Sequence, residues 1–288
     1  WYLRCYWQAV LACRRQAVPV LVRGDSQLAS AARGWKAIIK RMLYPVLLHS
    51  FDGFLYVGQR NRQYLSHYGV RPSKQFFSPH CVDVQWFSQA AAASNRQHIR
   101  QALAVPEGHA MLLFVGKFIW QKRLLDFLDA LTLLNQSGLP ALGVLVGSGP
   151  LEAQLRAHAL TSAAPVLFAG FRNQAELPGL YAAADCLVLP SGSETWGLVV
   201  NESFACGTPA VVSDVVGCVP DLIDGLTGRS YPCGDVAALT AGIRSVLARG
   251  KSAAVGAALA AQSQAHSITA AAEGILHAAQ TLAERSRH

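Results

Sequence analysis

Spacing-coded chemistry is scarce in these 288 residues. The seven cysteines, Cys5, Cys13, Cys81, Cys186, Cys206, Cys218 and Cys233, include no C-x-x-C pair, which excludes a zinc spacing; an odd, unpatterned set reads as reduced thiols in a cytoplasmic protein. The nine histidines form neither an H-E-x-x-H nor any cluster, and no D-x-D occurs. No apolar run reaches the length of a membrane span, because the longest are broken by Arg, Gly or Pro. A basic-then-apolar signal layout is missing from WYLRCYWQAVLACRRQ, and Trp1 is no initiator, so the sequence is expected to begin partway into a longer protein. Charge is sparse at 15% against 52% hydrophobic residues, with length enough for two ordinary domains. Two glycosylation sequons, at Asn135 and Asn201, read as chance, since Asn201 falls inside the segment richest in functional chemistry. There are no internal repeats.

Apolar runs of strand length alternate with segments of helical period, the pattern of parallel α/β layers. PVLVRGDS (19–26) reads as a strand and loop, SAARGWKAIIKRMLYPVLLHSF (30–51) as a helix broken near Pro45, GFLYVG as a strand, and NRQYLSHYG as a short helix ending at Gly69. A polar, Ala-rich linker is expected around 90–106. MLLFVGK then opens a second domain, with four more strand and helix pairs expected after it, and HSITAAAEGILHAAQTLAERS is helical by propensity.

One segment concentrates the chemistry. In ETWGLVVNESFACGTPAVVSD, Glu194 and Glu202 are separated by seven residues and bracket a glycine turn that opens into a helix. A helix start offers unpaired backbone N–H groups, here around Trp196, Gly197, Leu198 and Val199, and these suit a diphosphate. Carboxylates cannot ligate phosphate, but they accept hydrogen bonds from sugar diols. The pairing fits a ligand that carries both phosphate and hydroxyls.

The E-x7-E spacing followed by ACGTP resembles the signature of retaining glycosyltransferase family four, the group 1 enzymes of GT-B fold. Four more stretches resemble that family in register. GKFIWQKR (116–123) is similar to its G-R-x-x-x-x-K segment, VLVGSGP (144–150) to its G-x-G-P turn, and VLFAGF (166–171) to the strand before the base pocket. PDLIDGLTGRSYPCGD (220–235) is similar to the loop and strand that close the donor domain. KQFFSPHCVDVQWF also resembles the N-G-V-D-x-x-x-F hinge entry, keeping Asp83 and Phe87 but placing His80 and Cys81 where Asn and Gly are usual. The likeness runs from about Phe76 to Leu282.

The resemblance implies a GT-B fold, α/β, with two Rossmann-like domains of parallel sheets. The N-terminal, acceptor-side one is expected to be partial over 1–105, the donor-binding one to occupy 106–265, and a helix over 266–288 to cross back to the first. It implies transfer of a sugar from a nucleotide-diphosphate sugar to the hydroxyl of a glycan or lipid-linked acceptor. Configuration is retained, and neither metal nor cofactor is needed beyond the donor substrate. By resemblance roughly the first third of the enzyme would be missing, so that this chain could bind donor without turning over.

Site roles carry over residue by residue. Lys117 and Lys122 would hold the diphosphate, with Lys117 a point charge where the family has the planar fork of Arg. Glu194 would hold the transferred sugar and Glu202 the ribose, with Gly116, Gly149 and Phe171 also in the donor site. Phe171 and Arg172 are candidates for the base pocket. Asp25 stands where many members have His and would orient sugar or acceptor; an ordinary strand-end cap fits it equally. Arg123 replaces a glycine and is either a third cation or a surface residue. Gly147 and Gly149 permit a tight turn, and Glu152 at the third glycine position excludes a dinucleotide fingerprint. Trp120 and Trp196 are candidates to wall the pocket, with a packing role as the other reading.

The net charge of +8 calls for a partner. Arg33, Lys36, Lys40 and Arg41 share a helical stretch with Trp35, Ile38, Ile39, Leu43 and Leu47, an arrangement suited to peripheral contact with an anionic membrane, while a core-facing helix with a solvated back fits as well. Nucleic acid is not expected, because no recognisable binding module accompanies the positive residues. Two other functions stay open: a sugar-nucleotide epimerase of the same fold, and a non-catalytic nucleotide-sugar binding fragment.

Overall fold

In the computed structural model, which describes residues 4–28 and 35–285 except for the side chains of Lys36 and Ala37, the chain divides into two compact units, Trp1–His80 with Ser267–His288, and Cys81–His266. Arg33 and the first residues of the helix expected over 30–51 lie outside the described residues.

The first unit begins α1 (Arg4–Arg15), β1 (Leu21–Gly24), α2 (Trp35–Leu48), β2 (Gly53–Tyr56), α3 (Gln59–His67) and β3 (Gln75–Phe77). Its three strands are parallel in the order β1-β2-β3, with Leu21 opposite Gly53 and Phe54 opposite Gln75. Such short strands bury little on their own, and the core is made by aromatic side chains instead. Phe51, Phe54, Tyr64 and Tyr68 are buried together with Val10, Leu48, Leu65 and Val70, and Phe51 meets Phe54 edge-on with ring centroids 5.8 Å apart. Replacing a fully buried ring such as Phe51 by Ala would cost roughly 3–5 kcal/mol.

Pro45 does not break α2, which runs through it to Leu48. The residue sits in the last turn, where its missing N–H removes one hydrogen bond and the chain leaves the helix within a few residues. On this helix Trp35, Ile38, Ile39, Met42 and Val46 fall at i, i+3, i+4, i+7 and i+11 and are all exposed, Met42 at 73%. Lys40 is turned the other way. Its ammonium lies over the rings of Tyr44, Tyr64 and Tyr68 at 4.5, 5.0 and 5.3 Å, so it belongs to the aromatic cluster and not to the exposed basic face expected from sequence.

The second unit continues with α4 (Val84–Ala93), α5 (Arg96–Ala102), β4 (Ala110–Val115), α6 (Leu124–Gln136), β5 (Ala141–Val146), α7 (Glu152–Ser162), β6 (Val166–Gly170) and α8 (Leu177–Ala183). It is completed by β7 (Cys186–Leu189), α9 (Leu198–Ala205), β8 (Ala210–Ser213), α10 (Val219–Leu222), β9 (Gly228–Tyr231), α11 (Val236–Arg249) and α12 (Ala253–Ala265). All strand pairs are parallel, in the order β6-β5-β4-β7-β8-β9. Five strands follow β4, one more than expected. Every residue of CLVL in β7 and AVVS in β8 is buried, the near-continuous apolar run of strands covered on both faces. This is a doubly wound sheet whose strand order reverses between β4 and β7.

The stretch expected as a linker around 90–106 is mostly helix. Arg96 and Arg100 of α5 reach Asp185, ahead of β7, at 2.5 and 3.0 Å, and Asp185 also accepts from the Met111 backbone N–H at 2.7 Å. Burial pushes the Asp185 carboxyl up, but the Met111 N–H and the two guanidinium groups outweigh it and hold the group below its ordinary value. Residues 81–105 therefore pack within the second unit. After α12 the chain enters α13 (Ile268–Arg285), which belongs to the first unit. Ala271, Gly274 and Ala278 let this helix approach β3 closely. The Ser78 hydroxyl donates to the Ala271 carbonyl at 3.0 Å, Ala278 is fully buried with Leu55 and Phe76, and a side chain at Gly274 would strike the Phe77 backbone.

Candidate active site

The loops that follow β4 and β7 lie at the reversal of strand order, the position where open α/β sheets bind ligands beyond the carboxyl ends of their strands. After β4 come Gly116, with φ of 155°, exposed Lys117, and a short 3-10 turn at Trp120–Lys122. After β7 come buried Ser191, then Gly192, Ser193, Glu194, and the turn into α9. The two loops are tied together. The Gly192 N–H donates to the Gln121 carbonyl at 2.7 Å, and the Lys122 ammonium donates to Glu194 Oε2. The Lys122 stem also runs beside Gly116, where an added Cβ would lie 3.8 Å from its Cε. Gly116, Lys122 and Glu194 therefore form one group.

The glycine turn works as its residues imply. Gly197 caps α9 with φ of 101°, a left-handed conformation that side chains rarely adopt. Leu198 and Val199 are the first helical residues, and first-turn N–H groups have no acceptor within a helix. The turn is fixed from behind: Glu194 pairs with Val216 in an isolated bridge, the Gly217 N–H donates to the Glu194 carbonyl at 3.1 Å, and the Cys218 N–H donates to the Trp196 carbonyl at 3.0 Å. Trp196 itself is not a pocket wall. The residue is 4% exposed, its ring lies tilted against His266 with centroids 5.8 Å apart, and its indole N–H donates to Asn201 Oδ1 at 2.8 Å. Only its main chain can serve a ligand.

Arg123 is paired within its own stretch of chain. Its guanidinium forks onto Asp126 at 2.7 and 3.1 Å, and its backbone takes φ of 47°, which explains why glycine is usual there. Gly147 and Gly149 have packing reasons. The Gly147 N–H donates to the Gly170 carbonyl at 2.8 Å, and a Cβ on Gly149 would come within 2.5 to 2.8 Å of the Phe118 backbone. Since the Phe118 N–H in turn donates to the Ser148 carbonyl at 2.9 Å, the two glycine loops brace each other at the mouth of the sheet. Phe171 follows Gly170 at the end of β6 and is 78% exposed, and Trp120 is 73% exposed. Both rings are free of the core.

Glu202 lies one turn into α9 and is half-buried, its Oε2 accepting from the Tyr181 hydroxyl at 2.6 Å. Burial pushes its carboxyl up, and the hydrogen bond from Tyr181 opposes that rise. Asp25 follows β1 in the first unit, with its Oδ2 3.9 Å from His80 Nε2. Sequence reading passed over Tyr181, Asn201 and His266. Asn201 carried a signal, since a sequon inside the site is explained by a buried asparagine that holds Trp196. Asn135 is similarly committed, donating to the Leu131 and Ala141 carbonyls and accepting from the Ala141 N–H.

The chain is similar to known proteins both in sequence and in fold. Residues 95–259 match the family model "Glycosyl transferases group 1". The glycogen synthase of Mycobacterium tuberculosis is 38% identical over 144 residues, 49% of this chain and 34% of that protein. The D-inositol 3-phosphate glycosyltransferase of Geodermatophilus obscurus is 33% identical over 200 residues, 65% of this chain and 43% of that protein. The chain thus spans well under half the length of these curated relatives. Among solved structures, Anabaena HepE in complex with UDP superposes with a TM-score of 0.75 at 20% identity, covering 96% of this chain and 74% of that one. Sucrose-phosphate synthase from Thermosynechococcus elongatus gives 0.70 at 22%, covering 98% and 71%. At these identities the likeness is one of fold, the GT-B arrangement of two Rossmann-like domains.

Proposed function

The chain belongs to the group 1 glycosyl transferases, and we propose that within that family it binds a nucleoside-diphosphate sugar and takes part in moving the sugar to a hydroxyl of a glycan or lipid-linked acceptor. The observation that carries this reading is the Lys122–Glu194 pair beside the start of α9, at the point where the strand order reverses. A diphosphate arriving there would take Lys122 and the first-turn N–H groups, with exposed Lys117 as a second cation. Glu194, released from its lysine, would accept hydrogen bonds from the sugar, and Glu202 from the ribose.

In the transfer step the acceptor oxygen bonds to the anomeric carbon as the bond to the diphosphate breaks, and the hydroxyl proton leaves with the diphosphate. Negative charge grows on the leaving group. Cations and oriented N–H groups held in place before reaction stabilise that growth and lower the barrier. Retention of configuration and independence from metal are further parts of the proposal, as are the assignment of Asp25 to the sugar or acceptor, a cytoplasmic location, and stacking of the base on Phe171. The relatives point to donors worth trying first: a solved HepE structure contains UDP-glucose, and one curated relative is a GDP-mannose-dependent mannosyltransferase.

Contact with an anionic membrane is the remaining part. The first unit carries 14 Lys and Arg against 4 Asp and Glu, whereas Cys81–His266 carries 11 against 13. That excess, together with the exposed apolar stripe of α2, supports a lipid surface as the place where a lipid-linked acceptor would be met. No helix among the described residues is long and apolar enough to cross a membrane.

The test is a product analysis with labelled UDP-glucose and GDP-mannose, with and without acceptors and with EDTA. Acceptor-dependent transfer that preserves the anomeric configuration and survives EDTA is expected. Release of an altered sugar without acceptor would contradict transfer, and abolition by EDTA would contradict metal independence.

A further inference from the structure

Tyr181 is fully buried on α8, yet its hydroxyl ends on a carboxylate that the donor is proposed to use, donating to Glu202 Oε2 at 2.6 Å. Both ends of the residue are fixed. Its carbonyl accepts from the Thr208 hydroxyl at 2.6 Å, and that hydroxyl accepts from the Lys251 ammonium at 2.6 Å. Its ring packs beside Phe87 of α4, centroids 6.5 Å apart. A glutamate on a helix surface ordinarily samples several rotamers and loses side-chain entropy when a ligand selects one. Here Oε2 is already engaged, which leaves Oε1 to face a ligand.

We propose that Tyr181 is a positioning residue, which holds Glu202 in the one orientation that presents Oε1 to the ribose diol of the donor nucleotide. This deepens, and rests on, the reading of Glu202 as the ribose acceptor. The phenol remains a donor throughout the neutral range, because burial and then the charge of Glu202 push its ionisation well above the ordinary tyrosine value. Tyr181 touches neither phosphate nor the transferred sugar in this scheme. Its loss therefore acts on affinity for one part of one ligand.

The experiment titrates the chain and its Tyr181→Phe, Glu202→Ala and doubly substituted variants with UDP, GDP and ADP. The nucleotide that binds tightest is then compared with its 2′,3′-dideoxy counterpart. Wild type should prefer the ribonucleotide by about ten-fold or more, and Tyr181→Phe should lose about ten-fold on the ribonucleotide while leaving the dideoxy compound within about two-fold. In the Glu202→Ala background the tyrosine change should add nothing. If folded Tyr181→Phe keeps the wild-type preference for ribose, Tyr181 is mere cement between α8 and α9 and the proposal is overturned, with the Glu202 reading intact. If wild type shows no ribose preference, the Glu202 reading fails and takes Tyr181 with it. Should Tyr181→Phe not fold, a crystal structure of the wild-type chain with that nucleotide decides: Oε2 held by the Tyr181 hydroxyl and Oε1 on the ribose diol is expected, and a Glu202 carboxylate turned away from Tyr181 would overturn the proposal.

Discussion

The two units handle charge in opposite ways. Trp1–His80 with Ser267–His288 has over three times as many basic as acidic residues, while Cys81–His266, which contains the candidate phosphate site, is slightly acidic. The anion binding proposed for the second unit would therefore depend on geometry at one spot, a helix start and two lysines, and not on overall field. The first unit's cations are spread over α1, α2, α3 and the β3 approach, which suits a broad anionic surface better than a compact ligand. Their cores differ to match. Four central strands of largely buried apolar side chains, β4, β5, β7 and β8, make the second unit a support for loops, whereas three short strands and an aromatic cluster make the first.

The comparison can be broken in several places. The largest effect is expected from Trp196→Ala, which removes a buried ring from behind the α9 turn; it should lower unfolding free energy by roughly 3–5 kcal/mol in denaturant melts and weaken nucleotide binding as a consequence. A loss under 1 kcal/mol would mean the turn is held by other contacts. Next, Lys122→Ala should slow sugar transfer by roughly 10²- to 10³-fold, the usual cost of deleting one charge-stabilising donor. An equal loss from Arg41→Ala would argue that overall field matters more than position.

Asp185→Asn should cost about 2 kcal/mol at pH 7, since it weakens three hydrogen bonds to one partly buried carboxylate. Because the folded-state carboxyl is held below its ordinary value of 3.8, this contribution is fully present above about pH 4 and disappears as pH falls through the folded value. The difference between wild type and variant should shrink in melts below pH 4; a difference constant with pH would remove the charge from the explanation. The smallest effect concerns α2. Replacing Ile38, Met42 and Val46 by Ser should reduce cosedimentation with anionic vesicles about ten-fold or more while changing stability little, as these side chains are exposed. Unchanged sedimentation, or sedimentation that does not depend on anionic lipid, would count against the membrane.

Much of the second unit was legible in its sequence because parallel strands buried on both faces must be apolar throughout and glycines mark the turns between them. MLLFV, VLV and CLVLP could hardly be anything else. Glu194, Glu202 and Lys122 stood out through spacing, and the fold brings Lys122 onto Glu194. What could not be read depended on partners distant in sequence. Nothing local distinguishes Trp196 beside His266 from a tryptophan lining a pocket. The stretch around 90–106 looked like a linker because its alanines and polar residues carry little hydrophobic signal. Its order comes from Arg96 and Arg100 meeting Asp185, more than eighty positions away. In the first unit Pro45 misled, since one lost hydrogen bond near a helix end is a smaller penalty than the residue's reputation implies.

The most direct test of the account is calorimetric titration of the folded chain with UDP, GDP and ADP, repeated on Glu202→Ala and on the double variant Lys117→Ala, Lys122→Ala. Saturable binding of one nucleotide, lost in both variants, is predicted. Binding that is unchanged in the variants, or no binding of any nucleotide by the folded chain, would contradict a donor site at the ends of β4 and β7.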